Sequence, residues 1–243
     1  MPKYQVRRKA ESYGHAVGIL LLDYRGPFIP GDVGNATTYD YPVLYKTVDG
    51  LTLDRVLVGD PEYERAVVDA ALELQDYGVK GISSDCGFLI NYQHAVTKVA
   101  NVPVFMSSML QLPFVASSVG SRPVGMITAN SASVGNRVLE LAGVRTDQQI
   151  IVKGLEDEPH FKEAILEEGG TLDSDLIESE IVEAAKGMVE KHPDMGALVI
   201  ECSLLPPYSK SVQDAIGLPV FDFISMIDYF YAGTHQQHYY GYY

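Results

Sequence analysis

The stretches GISSDCGF (81–88) and ALVIECSL (197–204) hold the two cysteines of this 243-residue chain. Each stretch is a short apolar run followed by an acidic residue and then by cysteine, and the two align without a gap at an offset of 116 residues. The alignment continues downstream, because VPVF (102–105) and LPVF (218–221) lie at the same distance after their cysteines. The chain therefore contains two copies of one structural unit.

Apolar runs typical of buried strands alternate with helix-length segments along the chain. Strands are expected at 14–23, 53–58, 79–84, 103–105, 123–130, 149–152, 197–200 and 220–221. Helices are expected at 60–77, 90–99, 109–119, 131–142, 173–191, 209–216 and 224–232. This alternation is typical of parallel sheets with helices on both faces. We therefore predict an α/β fold of two pseudo-symmetric, Rossmann-like parallel-sheet domains with the active-site cleft between them.

The repeat also predicts the domain organisation. Residues 1–115 plus 222–243 are expected to form the first domain, with the C-terminal helix packing back on it, and residues 116–221 the second. The segment 24–42 is long and rich in turn-forming residues. It is expected either to cover a pocket at the end of the first strand or to be a surface excursion or dimer contact. The tyrosine-rich tail, 235–243, is expected to fray or to pack weakly, with packing on a partner subunit as the alternative.

The formal net charge of −14, from 18 basic and 32 acidic residues, disfavours nucleic acids and anionic membranes as partners. No apolar run approaches the roughly 20 residues of a membrane span, and no signal-type segment is evident. Two cysteines in such a chain are expected to be reduced thiols, and the protein is expected to be cytoplasmic. The cysteine and histidine spacing disfavours a structural zinc site.

Cys86 and Cys202 both fall at the carboxyl ends of predicted parallel strands, where ligands bind in open α/β sheets. A helix N-terminus after each cysteine is expected to lower the thiol pKa. One thiolate could then remove a proton next to a carboxylate while the opposite thiol returns one to the other face, without cofactor or metal. The backbone N–H groups expected to stabilise the carboxylate or an enolate oxygen belong to Gly87, Phe88, Ser203 and Leu204.

These motifs resemble the aspartate/glutamate racemase superfamily, which includes cofactor-independent amino-acid racemases, hydantoin racemase, maleate isomerase and arylmalonate decarboxylase. The resemblance covers nearly the whole chain. ECSLLP (201–206) is similar to the family's Gly-Cys-Thr-x-x-Pro segment, and TANS (128–131) resembles the strand-end segment that helps hold the substrate carboxylate. The resemblance implies a catalytic pair, Cys86 and Cys202, a small carboxylate substrate, no cofactor and a homo-oligomer, expected to be a dimer. The substrate-binding residues that it implies are Thr128, Asn130, Ser131 and Ser203.

Two positions depart from the family's pattern. The racemases have Cys-Asn-Thr at the first site, whereas this chain has CGF (86–88), and glycine often precedes the second cysteine, where this chain has Glu201. Strand alternation turns Asp85 and Glu201 away from the site, or the two carboxyls are additional acid–base groups. Phe88 and Leu204 indicate a more apolar pocket than an aspartate site.

Three functions therefore stay open. The first is an isomerase, a racemase or epimerase that acts on an amino acid or related small carboxylate through both cysteines. The second keeps the fold but uses one cysteine, as in a decarboxylase, a cis–trans isomerase or a lyase. The third is a non-catalytic protein that binds a small ligand. If one cysteine alone is essential, we expect it to be Cys202, because Ser203 and Pro206 give it the family-like setting.

Overall fold

The computed structural model describes residues 3–243 and contains two parallel β-sheets. The first consists of β1 (Val17–Leu21), β2 (Val43–Thr47) and β3 (Gly81–Ser84), in the spatial order β2-β1-β3. The second consists of β4 (Val124–Thr128), β5 (Ile150–Gly154), β6 (Ala197–Ile200) and β7 (Val220–Phe221), in the order β5-β4-β6-β7. Every strand pair is parallel, which confirms the predicted α/β class.

The two sheets share one register. In the first sheet, a single parallel bridge joins Ile82 of β3 to Val104. In the second sheet, Leu198 of β6 pairs with Val220 of β7. The members of the second pair each lie 116 residues after those of the first, which is also the offset of the cysteines. The sequence repeat is therefore a repeat of the structure.

The helices surround these sheets. Their bounds are α1 (Leu53–Val58), α2 (Glu64–Tyr77), α3 (Ile90–Thr97), α4 (Leu112–Ser118), α5 (Asn136–Leu141), α6 (Pro159–Phe161), α7 (Ser174–Lys191), α8 (Ser209–Ile216) and α9 (Phe223–Thr234). Several helix ends are set by capping residues that the sequence already shows. Asp173 caps α7 by accepting hydrogen bonds from two backbone N–H groups of its first turn, and Gly78 ends α2 in the left-handed conformation.

The predicted strand at 53–58 is wrong, because these residues form α1. Leu53, Val56 and Leu57 have the i, i+3, i+4 spacing of a helix face, and all three contact the core of the first half. Gly59, in the left-handed conformation, ends the helix by donating its N–H to carbonyls of the last turn. The missing strand is β2, which directly follows the predicted loop and is only half-buried, so its apolar signal is weak.

Smaller differences concern irregular turns. The helix predicted at 131–142 is a 3₁₀ turn, Ser131–Ser133, followed by α5, because Gly135 interrupts it in an extended conformation. The strand predicted at 103–105 is reduced to the single bridge at Val104. A helix that was not predicted, α6, continues into a π-helical segment, Lys162–Leu166.

The C-terminal helix α9 packs against the first sheet. Phe223, Met226 and Ile227 are buried with Val17 and Ile19 of β1. The proposed domain boundaries themselves stay a prediction. Among residues 3–243, no helix combines the length and the apolar character that a membrane crossing requires.

The two halves meet where their cysteine strands end. The Ser203 hydroxyl donates a hydrogen bond to the carbonyl of Asp85, which links the two cysteine segments directly. The Ser108 hydroxyl of the first half also donates to the carbonyl of Ile200 in β6, at 2.8 Å. Since all of these groups are buried, the junction is fixed by hydrogen bonds that water cannot replace.

Candidate active site

Both cysteines lie directly beyond a strand end and are free thiols. Cys86 is the N-cap of a 3₁₀ turn, Gly87–Leu89, that leads into α3. Cys202 starts a turn that leads through a 3₁₀ segment, Pro206–Tyr208, into α8. Each thiol accepts a hydrogen bond from the backbone N–H two residues later, at Phe88 and Leu204 respectively. The two thiols therefore have similar backbone surroundings, as expected for equivalent positions of a repeat.

One cavity brings the two cysteines together. Its volume is about 30 Å³, somewhat more than the roughly 10–15 Å³ that a single water molecule needs. The residues that line it come from both halves and are Leu22, Tyr24, Phe28, Leu53, Asp85, Cys86, Gly87, Phe88, Ala129, Ile165, Leu166, Glu201, Cys202, Ser203 and Leu204. Because the cavity is this small, a substrate of several heavy atoms can enter only if part of the wall moves.

The wall carries acidic and aromatic groups. Asp85 and Glu201 are both buried and face the cavity, together with the rings of Tyr24, Phe28 and Phe88. Among residues 3–243, no lysine or arginine lines this space. A site that binds an anion alone would need a positive group or several free donors, whereas carboxylates and aromatic faces suit a cation.

Burial controls the charge of these carboxyls. It raises the pKa of Asp85 to about 7, although the Leu22 N–H donates to Asp85 Oδ1 at 3.0 Å and acts in the opposite direction. It likewise raises the pKa of Glu201 to about 7, against a hydrogen bond from the Thr128 hydroxyl to Glu201 Oε2 at 2.8 Å. Both groups therefore titrate near neutral pH, as general acids and bases do.

The expectation of a lowered thiol pKa is wrong. Burial, followed by the nearby carboxyls of Glu201 and Asp85, raises the pKa of Cys86 well above its ordinary value. Burial and then Glu201 have the same effect on the pKa of Cys202. The single N–H donor at each sulfur is too weak to offset them. Both thiols are therefore protonated at neutral pH.

Glu201 fits beside Cys86 because the next residue is glycine. A Cβ atom at Gly87 would lie 1.8 Å from Glu201 Oε1, so the two side chains would occupy the same volume. The two departures from the racemase pattern, glycine after the first cysteine and glutamate before the second, are therefore one structural feature.

We expect Gly87→Ala to lower the free energy of unfolding by about 1–3 kcal/mol, because the buried carboxyl must move to make room. Urea unfolding would measure it. Gly187→Ala is the matched control, since nothing lies near a Cβ at this α7 position and alanine is the better helix former by about 0.5–1 kcal/mol. Equal stability of Gly87→Ala and the parent would mean that Glu201 does not occupy this space.

Part of the segment 24–42 lies on the cavity wall. Tyr24 and Phe28 line the cavity, and the Tyr24 hydroxyl donates to the carbonyl of Ile165 in the π-helical segment at 3.0 Å. Farther along, the N–H of Val33 lies 3.4 Å from the carbonyl of Ser203. Asp32 is buried here, and this burial raises its pKa to about 8. The segment therefore closes over the second cysteine strand from the first half.

Six of the predicted site residues line the cavity: Cys86, Gly87, Phe88, Cys202, Ser203 and Leu204. The other three do not, since Thr128 is engaged by Glu201, Asn130 caps its own 3₁₀ turn, and Ser131 donates to Glu156. Substrate binding by any of these residues stays a prediction.

Sequence reasoning did not find Tyr24, Phe28, Ile165 and Leu166. Tyr24 was within reach of the strand-end rule, because it follows β1 by three residues. Phe28 lies in a loop, and Ile165 and Leu166 lie in the π-helical segment, which was not predicted.

The sequence as a whole is similar to proteins of known class. The chain is 36% identical over 226 residues to a dimethylsulfoniopropionate lyase of Durusdinium sp. clade D, which covers 90% of this chain and 74% of that protein. The chain belongs to the family of dimethylsulfoniopropionate lyases. Dimethylsulfoniopropionate lyase 7 of Emiliania huxleyi (strain CCMP1516) is also 36% identical, over 89% of this chain and 66% of its own length. The chain spans 57% or less of three further lyases of this organism.

Solved structures of other enzymes share the fold of this chain. A variant of arylmalonate decarboxylase superposes with a TM-score of 0.63 at 17% identity, covering 90% of this chain and 94% of the other. Allantoin racemase from Klebsiella pneumoniae gives 0.63 at 14% identity, covering 90% and 87%. Picrophilus torridus aspartate racemase gives 0.52 at 13%, covering 85% and 88%. No protein-family model matches the chain.

These comparisons confirm the resemblance to the aspartate/glutamate racemase superfamily at the level of the fold. They also place the chain in a family of enzymes. Of the functions that the sequence left open, the lyase alternative agrees better with the relatives than racemisation does, because the relatives that share about a third of their residues with this chain are named as lyases.

Proposed function

We propose that the chain is a lyase that cleaves the carbon–sulfur bond of dimethylsulfoniopropionate or a closely similar sulfonium carboxylate. The observation that carries this proposal is the 36% identity to dimethylsulfoniopropionate lyases over nine-tenths of the chain. The cavity supports it, because both cysteines face a space lined by carboxyls and aromatic rings.

The reaction is an elimination that needs one base. A thiolate takes the proton from the carbon next to the substrate carboxylate. The electron pair of that C–H bond forms the carbon–carbon double bond, and the carbon–sulfur bond breaks with its electrons on sulfur. The products are acrylate, neutral dimethyl sulfide and the proton held by the base, so atoms and charge balance. Because the leaving group departs without a proton, a second acid is not required.

The charge of the substrate explains how a thiolate forms in an acidic cavity. Neighbouring carboxyls and burial hold both thiols in the protonated form. A sulfonium cation beside them has the opposite effect, since a positive charge within a few ångströms favours the ionised form of a thiol and of a carboxyl. The substrate thus helps to generate its own base. A carboxylate without a cationic group would not.

We assign the role of the base to Cys202. Cys86 contributes to the electrostatics of the cavity and does not accept the proton. The substrate carboxylate then lies toward the backbone N–H of the turn that follows Cys202, at Ser203. The aromatic rings of Tyr24, Phe28 and Phe88 surround the methyl groups of the sulfonium.

The test is the release of dimethyl sulfide from dimethylsulfoniopropionate, measured in the headspace by gas chromatography. The double variant Cys86→Ser/Cys202→Ser is the blank, because it keeps the shape of the cavity. Release by the parent above this blank is expected. Equal release by the two proteins would overturn the proposal.

The activity of the parent should also depend on pH. We expect kcat/KM to rise with pH up to at least about pH 9, because kcat/KM reports the thiol of the free enzyme and burial raises its pKa above the ordinary value. Initial rates at low substrate concentration measure this dependence. A plateau reached below about pH 7 would mean that the base is not one of the thiols.

The hydrogen bond from the Tyr24 hydroxyl to the Ile165 carbonyl should resist opening of the cavity. Tyr24→Phe keeps the ring but removes the hydroxyl that joins the two halves at 3.0 Å. We expect kcat/KM to stay within about fivefold of the parent and the free energy of unfolding to fall by about 1–2 kcal/mol. A loss of kcat by about 100-fold would instead place the phenol in the chemical step.

A second function, two-base racemisation of a small carboxylate, is favoured by one observation. The two thiols have equivalent settings and face one cavity. This function predicts α-proton exchange in deuterium oxide without bond cleavage, for an amino acid, a hydantoin or a 2-substituted malonate. It also predicts that Cys86→Ser and Cys202→Ser are equally inactive, whereas the elimination predicts unequal effects.

A further inference from the structure

Glu201 combines deep burial with an unused oxygen. Its side chain is 1% exposed, and its Oε2 atom accepts the hydrogen bond from Thr128. Its Oε1 atom is buried and has no hydrogen-bond partner in residues 3–243. Buried carboxylate oxygens are expensive to leave unpaired, so such an atom beside a cavity indicates a ligand.

This oxygen belongs to a side chain on the wall of the cavity that contains both cysteines. Glu201 lines the cavity that contains both thiols, and its Oε1 atom points to the backbone of Gly87, the residue after Cys86. Of the nearby carboxyls, it is also the one that raises the pKa of both thiols most. A group bound between the cysteines therefore lies within reach of this carboxyl.

The other carboxyls near the cavity have different surroundings. Asp85, at the equivalent position of the first repeat, accepts a hydrogen bond from the Leu22 N–H and holds the end of β1. Asp32 accepts from Gly34 at 2.7 Å and does not line the cavity. Of the three, Glu201 is the one whose free oxygen and cavity position occur together.

We propose that Glu201 Oε1 receives the cationic group of the substrate and makes the site specific for onium carboxylates over neutral isosteres. This inference rests on the proposed lyase function and names the residue that selects its substrate. Thr128 holds the other carboxylate oxygen, so that the free one is directed toward the ligand. The glycine at 87 provides the room that this arrangement requires.

The test uses two unreactive ligands that differ in the charge of the head group and by one methyl group. 3-(Trimethylammonio)propanoate carries a cationic head group, and 4-methylpentanoate has a neutral carbon in place of the sulfonium sulfur. Calorimetric titration of the parent and of Glu201→Gln with both ligands measures the charge preference. The parent is expected to bind the cationic ligand more tightly, and Glu201→Gln to reduce that preference on the order of 100-fold while its affinity for 4-methylpentanoate stays within a few fold.

Asp85→Asn is the matched variant, because it removes a carboxyl from the same wall at the equivalent repeat position. It is expected to keep most of the preference. Equal losses in Asp85→Asn and Glu201→Gln, or an unchanged preference in Glu201→Gln, would overturn the assignment to Glu201.

Dimethylsulfoniopropionate turnover by the parent, measured in parallel, distinguishes the two failures. If the parent cleaves dimethylsulfoniopropionate but its preference for the cationic ligand does not depend on Glu201, this inference is wrong and the proposed function stands. If the parent neither turns over dimethylsulfoniopropionate nor binds either ligand, both are overturned.

Discussion

Replacement of Cys202 by serine should lower kcat for dimethylsulfoniopropionate cleavage by about 10³-fold, because a hydroxyl is a far weaker base than a thiolate in the same place. Cys86→Ser should lower it by about tenfold or less, since this thiol shapes the electrostatics of the cavity but does not accept the proton. Initial rates of acrylate formation at saturating substrate measure both effects. The unequal response is the signature of a one-base elimination.

The control for these variants is their stability. Both cysteines are buried, but serine has nearly the same size, so the free energy of unfolding is expected to change by at most about 1–2 kcal/mol. Equal losses of activity in the two variants would favour the two-base mechanism over elimination. Full activity of Cys202→Ser would exclude this residue as the base.

The stability of the protein should fall as pH rises from about 4 to about 8. Burial raises the pKa of Asp32 to about 8 and those of Asp85 and Glu201 to about 7. In the unfolded chain these carboxyls titrate near pH 4, so across this window the folded state binds more protons than the unfolded state. A carboxyl of this kind favours the folded state while it is protonated. It destabilises the folded state once it is ionised.

We expect the free energy of unfolding to fall by several kcal/mol over this range, because the effects of the three groups add and each pKa unit corresponds to about 1.4 kcal/mol. Urea unfolding at about pH 5 and about pH 8 measures it. Asp32→Asn should be more stable than the parent at the higher pH and similar to it at the lower, since asparagine can still accept the hydrogen bond from Gly34. A parent whose stability rises over this range would contradict the burial of these carboxyls.

The repeat could be predicted from the sequence because the same motif occurs twice at a constant offset. The cysteines, the strands before them and the strands that begin near Pro103 and Pro219 keep one offset, and the structure has the same register in both sheets. Strands that are buried on both faces, such as β4 and β6, have continuous apolar sequences and were identified.

Elements at the edges were harder to predict. The half-buried strand β2 lacks a strong apolar run, and α1 is short enough for its six residues to resemble a strand. Charge states were also beyond the sequence, because they depend on burial. The N-terminal turns suggested reactive thiolates, whereas Glu201 and Asp85 face the same cavity as the thiols and have the opposite effect.

The proton nuclear magnetic resonance spectrum of dimethylsulfoniopropionate with the protein in deuterium oxide tests the central claim most directly. It follows removal of the proton next to the carboxylate and cleavage of the carbon–sulfur bond in one sample. We predict that acrylate and dimethyl sulfide appear in equal amounts with the parent and are nearly absent with Cys202→Ser. An intact substrate, together with α-proton exchange of an amino acid that needs both cysteines, would contradict the account.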